Sequence, residues 1–217
     1  MSAKWKQIQR FVEVEADGIP GDQTADAIAA KLGLCWDHPA ISSGGTVSNS
    51  FRSLLVDLAR KELGVLEQPK NSNRGARVQQ YQAATWLDGT GWPWCAAFIC
   101  WLVREGLKQY DPLKVPAGFK RPETAGAWDF ENWATDYKRY GVSRFEATDR
   151  RIEPGDILVF TFSHIGIAEA AASGTNPTSE VRTIEGNTDG SGTREGGGVY
   201  RQTRRVSQVR EVIRLEF

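Results

Sequence analysis

The spacing of apolar residues changes period part-way along the chain, and that change limits the fold more than any other feature. In the first part apolar residues recur at helical spacing. Leu54, Leu55, Leu58 and Ala59 mark a helix predicted over Phe51 to Leu63 and stopped by Gly64, and a second helix is predicted over Ala76 to Ala84. Phe98, Ile99, Leu102 and Val103 mark a third, entered from the loop Gly91-Trp92-Pro93-Trp94. From Gly155 onward the segments are short and read as strands: Asp156 to Phe160, Ile165 to Ala168, Val181 to Thr188, and a closing stretch from Val206 to Phe217. Helices first and an antiparallel sheet second is an α+β arrangement. Between the two, residues 111–150 contain Pro112, Pro116 and Pro122 and read as irregular, apart from a helix predicted over Ala125 to Tyr140.

Chemistry concentrates where the third helix begins. Pro93 suits a first helical position, where a missing N–H costs nothing. Cys95 then falls in the first turn, where unpaired N–H groups and the positive end of the helix dipole favour an anion. A thiolate there is an attacking group; the competing reading is a small buried apolar residue. The chain has two histidines, His38 and His164. On its strand His164 shares a face with Gly166 and Ala168, opposite Ile165 and Ile167, so small neighbours leave room beside the ring. Glu185 and Asn187 are two apart on a later strand and both can project to one side, either one orienting the imidazole. Cys100 lies off the helical face of Cys95 and reads as packing.

Residues 51–217 resemble the CHAP family of papain-like cysteine amidohydrolases and peptidases that cut peptidoglycan. The resemblance rests on Trp94-Cys95-Ala96 at a helix start, Ser163-His164-Ile165-Gly166-Ile167 on a strand, and Ile184-Glu185-Gly186-Asn187-Thr188 followed by Gly198-Val199-Tyr200-Arg201. It implies Cys95 as nucleophile, His164 as general base, and Glu185 or Asn187 as the residue that fixes the ring. The backbone N–H of Cys95 is one oxyanion donor; a second leaves no sequence signal. Loops line the cleft of a papain-like fold, so Glu67, Asn73, Tyr81 and Trp94 are candidate substrate contacts, with a solvated loop as the plainer reading of the first three. Trp128 and Trp133 are core or a sugar-stacking wall. Arg201, Arg204, Arg205, Arg210 and Arg214 read as a solvated basic edge that deters strand pairing. No cofactor is implied.

The N-terminal stretch 1–36 reads as a unit of its own. Trp5, Ile8, Gln9 and Val12 follow helical spacing, Ala16 to Gly21 is dense in turn formers, and a helix from Thr24 to Leu32 ends at Gly33. It resembles the peptidoglycan-binding module of wall hydrolases through Ile8-Gln9-Arg10-Phe11 and Asp17-Gly18-Ile19-Pro20-Gly21 with Thr24, which implies wall contact by Asp17, Gly18 and Thr24. A helical hairpin packed on the larger unit is the alternative. Residues 37–50 form a Ser/Gly-rich linker. Cys35, Asp37 and His38 lack the further partners a zinc site needs, so no metal is expected.

Composition narrows the classes. Lys plus Arg equals Asp plus Glu at 27 each, which argues against a dedicated nucleic-acid binder. No run approaches the roughly 18 apolar residues of a membrane span, and Met1 to Lys6 lacks an apolar signal region. Three cysteines do not make a disulfide framework. The expectation is a monomeric phage endolysin with bacterial peptidoglycan as its partner, made in the host cytoplasm and reaching the wall by holin-dependent release. A bacterial autolysin, an antibacterial toxin, or an inactive wall-binding protein are the alternatives. Whether the cut bond joins N-acetylmuramic acid to L-alanine or lies within the peptide stays open.

Overall fold

Among the described residues, Ser50 starts the first helix: its hydroxyl accepts from the Ser53 N–H at 3.2 Å, meeting one of the donors that a helix start leaves unpaired. The computed structural model describes residues 50–217; the readings made for the N-terminal module, Asp17, Gly18 and Thr24 included, and for nearly all of the linker lie outside them. Four helices follow: α1 (Phe51–Lys61), α2 (Ala76–Gln82), α3 (Cys95–Gln109) and α4 (Asp129–Asp136). Six strands complete the set: β1 (Val142–Phe145), β2 (Ile157–Phe160), β3 (Ile165–Ala168), β4 (Glu180–Thr188), β5 (Gly198–Arg205) and β6 (Val209–Leu215). They form one antiparallel sheet in the order β1-β6-β2-β3-β4-β5, so the α+β expectation holds for these residues.

Ten of the fifteen residues of α3 are buried, which makes it the central helix rather than a surface one. It packs with α1 over one face of the sheet, onto Ile157, Val159, Ile165, Ile167 and Ile184. Leu158, Phe160, Ala168, Val181 and Val212 point to the other face and build a second core with Ile152 and Val206. A strand covered on both faces needs apolar residues at every position. That is why Ile157-Leu158-Val159-Phe160 is continuously hydrophobic, each residue 0% exposed.

Several boundaries differ from the sequence reading. Pro93 is not the first helical residue; α3 begins at Cys95 itself, with Trp94 as its cap. The helix expected over 125–140 is regular only from Asp129 to Asp136, then tightens to a 3₁₀ turn and ends at Gly141 (φ 77°). The region read as irregular contains β1, which pairs along its whole length with β6. The basic edge holds only in part: Arg201 and Arg205 are exposed on the edge strand β5 and Arg210 is exposed on β6, but the other two arginines are not solvated. β6 is an interior strand, and its Arg214 is buried, donating from Nε and Nη2 to the buried Asp156 at 2.7 Å each. Arg204 is likewise buried, Arg201 clasps Glu169, and Arg210 pairs with Glu131 at 2.6 Å. Trp133 is core, and Trp128 is half-exposed with its indole N–H donating to the Phe160 carbonyl at 3.1 Å.

Candidate active site

Two glycines allow the approach that builds the site. A Cβ at Gly186 on β4 would stand 2.7 Å from the Trp94 ring and 2.8 Å from Phe98, so only glycine lets the first turn of α3 lie against this strand. A Cβ at Gly166 on β3 would stand 2.6 Å from Cγ of Glu185. The space that small neighbours leave beside His164 is therefore filled by the Glu185 stem, not held open for a ligand. His164, directly before β3, is itself 0% exposed and stacks at 6.0 Å on both Phe160 and Phe162.

His164 and Glu185 form a buried ion pair, Nε2 to Oε2 at 3.1 Å. The ring N–H is not aligned along this contact, so charge rather than a linear hydrogen bond holds the pair. Burial alone would lower the His164 pKa; the Cys95 and Glu185 side chains against the ring outweigh it and lift the value to about 9. Glu185 is held in turn. Arg204 donates to it twice, Nε to Oε1 at 2.9 Å and Nη2 to Oε2 at 2.6 Å, and the Thr183 hydroxyl donates to Oε1 at 2.6 Å. Burial works to raise its pKa, but Arg204 and His164 hold the carboxyl below the usual carboxylate range. Arg204 also lies 5.4 and 5.1 Å above the Phe160 and Phe162 rings and donates to the Gly192 carbonyl. The sequence reading missed Arg204; its place in a run of arginines gave no sign that it alone faces inward beside Glu185.

Asn187 does something different from what its spacing suggested. The β4–β5 ladder carries one extra residue between Glu185 and Thr188, and Asn187 sits there at φ 59°. Such a bulge re-aims side chains. Instead of sharing a side with Glu185, the Asn187 amide turns to α3: its Oδ1 accepts from the Trp94 backbone N–H, and its Nδ2 donates to the Gly196 carbonyl at 3.1 Å. Glu185 touches the imidazole; Asn187 fixes the turn carrying Cys95. Cys95 is 7% exposed at the helix start, whereas Cys100 is fully buried and its thiol donates to the Thr124 carbonyl at 3.3 Å. Desolvation pushes the Cys100 thiol far above its ordinary range.

Two of the four candidate substrate contacts are corrected by burial. Tyr81 is 0% exposed, donates its hydroxyl to Glu62 at 2.5 Å and stacks on Trp94 at 5.3 Å. Trp94 is also 0% exposed, its indole N–H donating to Glu67 Oε1 at 2.8 Å. Both are buried aromatic packing behind the start of α3, with no exposed surface to offer a ligand. Asn73 is a left-handed turn residue (φ 53°) whose carbonyl is held by Gln82, which also holds the Trp92 carbonyl at 2.9 Å. Glu67 is buried but lines a pocket.

No curated protein and no solved structure matches the chain. A protein-family comparison does match, over a span containing Cys95, His164, Glu185 and Asn187: residues 87–187 fit the CHAP domain, a domain typical of cysteine- and histidine-dependent hydrolases of the peptidoglycan amidase and endopeptidase type.

Proposed function

We propose that the chain is a phage endolysin that cleaves an amide bond of bacterial peptidoglycan with Cys95 as nucleophile. The observation that carries the reading is the buried His164–Glu185 pair set against a cysteine at a helix start. His164 accepts the Cys95 proton and, as imidazolium, stabilises the sulfur anion that attacks the amide carbonyl. The Cys95 N–H, left unpaired at the helix start, donates to the developing oxyanion. The Trp94 N–H is already taken by Asn187 and does not serve as the second donor. His164 then protonates the leaving amine, a thioester remains on Cys95, and a water that gives its proton to His164 hydrolyses it. Glu185 orients the ring, Arg204 orients Glu185, and Asn187 fixes the nucleophile turn. The N-terminal module tethers the enzyme to the wall through Asp17, Gly18 and Thr24, raising local concentration without a further active-site contact.

Mass spectrometry of fragments released from purified sacculi tests this reading. New N-acetylmuramic acid termini without peptide identify an amidase, new peptide amino groups an endopeptidase, and intact sacculi refute the hydrolase. A pH dependence also follows. The folded His164 pKa of about 9 lies above its ordinary 6.5, so the protonated form is the one the fold favours. Its contribution to stability is complete below pH 6.5 and lost as the pH rises through about 9. Hydrolysis, which needs that proton for the leaving amine, is expected to fall along an alkaline limb near pH 9. An alkaline limb displaced to near 6.5 would contradict the raised His164 value and the Cys95 and Glu185 contacts that cause it.

A further inference from the structure

A pocket of about 520 Å³ opens beside the nucleophile turn, between the loop after α1 and the β4–β5 loop. Its lining carries three carboxylates, Glu67, Asp189 and Glu195, against one ammonium, Lys70. The three are not equivalent. Asp189 is occupied by the hydroxyls of Ser191 and Thr193, both at 2.7 Å, and Glu195 pairs with Arg194 at 2.6 Å. Glu67 is 5% exposed, and only its Oε1 is used, by the Trp94 indole. Its Oε2 is buried without a partner and faces Gly197, where an added Cβ would stand 3.5 Å away. A buried carboxylate oxygen left unmet is costly and calls for a donor.

From this we infer that the Glu67 pocket binds a primary ammonium group of the wall peptide and so selects substrates with a free amine near the scissile bond. The inference rests on the peptidoglycan reading above and names the chemistry its substrate must carry. An ammonium supplies three donors and the charge that the lining lacks. Among the described residues no cluster of three metal-ligating side chains exists, so the donor set suits an organic cation better than a metal. Both walls of the pocket are tied to the residue before the nucleophile. Glu67 Oε1 accepts from the Trp94 side chain, and Gly196 accepts from Asn187, which accepts from the Trp94 N–H. A group seated there is thereby fixed in register with Cys95. Gly197 keeps the space open, since any side chain there would project toward Glu67 and Asn71.

Calorimetry on the full chain carrying Cys95→Ala, which binds without turnover, tests this. The ligands are a purified muropeptide with one free primary amine and its N-acetylated twin. The amine form is expected to bind about tenfold tighter or more, as one charge-assisted contact implies. Adding Glu67→Gln keeps an acceptor for the Trp94 indole and should bring that ratio close to one. Gly197→Ala, whose methyl fits at ordinary contact distance, should shrink the ratio by filling the pocket. Because each ratio is taken within one variant, partial loss of folding does not affect it. Equal affinity for the two peptides in Cys95→Ala, or a ratio unchanged by Glu67→Gln, overturns the pocket even if the unsubstituted chain digests sacculi. Amine-dependent binding without digestion by the unsubstituted chain upholds the pocket and removes the hydrolase instead.

Discussion

Replacing Cys95 by alanine is expected to lower the rate of wall clearing by about 10³-fold or more, the scale seen when a member of a nucleophile–base pair is removed. On the proposed mechanism the substitution deletes the atom that forms the covalent bond, and no second thiol stands in the first turn of α3. The control is built into the same helix. Cys100→Ala removes a thiol that is fully buried and bonded to the Thr124 carbonyl. It is expected to cost about 1 kcal/mol of stability through the lost hydrogen bond and to leave clearing nearly intact. Turbidity loss of sacculi suspensions separates the two, and equal inactivation by both substitutions would remove Cys95 from its assigned role.

The second large effect falls on a residue that touches no substrate. Arg204→Met keeps a long apolar stem beside Phe160 and Phe162 but takes away both guanidinium bonds to Glu185. Glu185 is then a fully buried carboxylate facing only His164 and Thr183. Removing one partner of a buried ion pair costs about 3–5 kcal/mol, because the other charge stays desolvated. The chemistry suffers as well, since a ring misplaced by about 1 Å can lose about 10²-fold in rate. Denaturant unfolding reads the first effect, and kcat per titrated active site reads the second. A structural role alone would lower the folded fraction but leave kcat per site untouched. Arg204→Lys should recover part of the rate, since it restores the charge without the two-pronged geometry.

How much of this was legible in the sequence depends on whether a residue's position follows from local period. The strand faces of β3 did: Ile165 and Ile167 point to the helices and Ala168 to the second core, as alternation requires. The helix start carrying Cys95 did also, within two residues. What local period cannot encode is an interruption of itself. The bulge between Glu185 and Thr188 turns Asn187 toward Trp94, and no residue in Glu185-Gly186-Asn187-Thr188 announces the extra step. Long-range pairing was equally hidden. β1 is four residues in a region without a strand-like run of its own and exists because β6 offers it a partner. Arg204 and Arg214 look like their exposed neighbours until Glu185 and Asp156 are found opposite them. Tyr81 and Trp94 were expected to reach substrate because the CHAP resemblance puts their loops along a cleft; their burial and stacking on each other place them in the core.

The central claim is that a single thiol, activated by His164, does the chemistry, and alkylation of the native chain tests it most directly. Treatment with iodoacetamide at neutral pH, followed by peptide mapping, is expected to modify Cys95 ahead of Cys100, with hydrolysis of sacculi falling in proportion to Cys95 label. Full alkylation of Cys95 with wall hydrolysis undiminished would contradict the account.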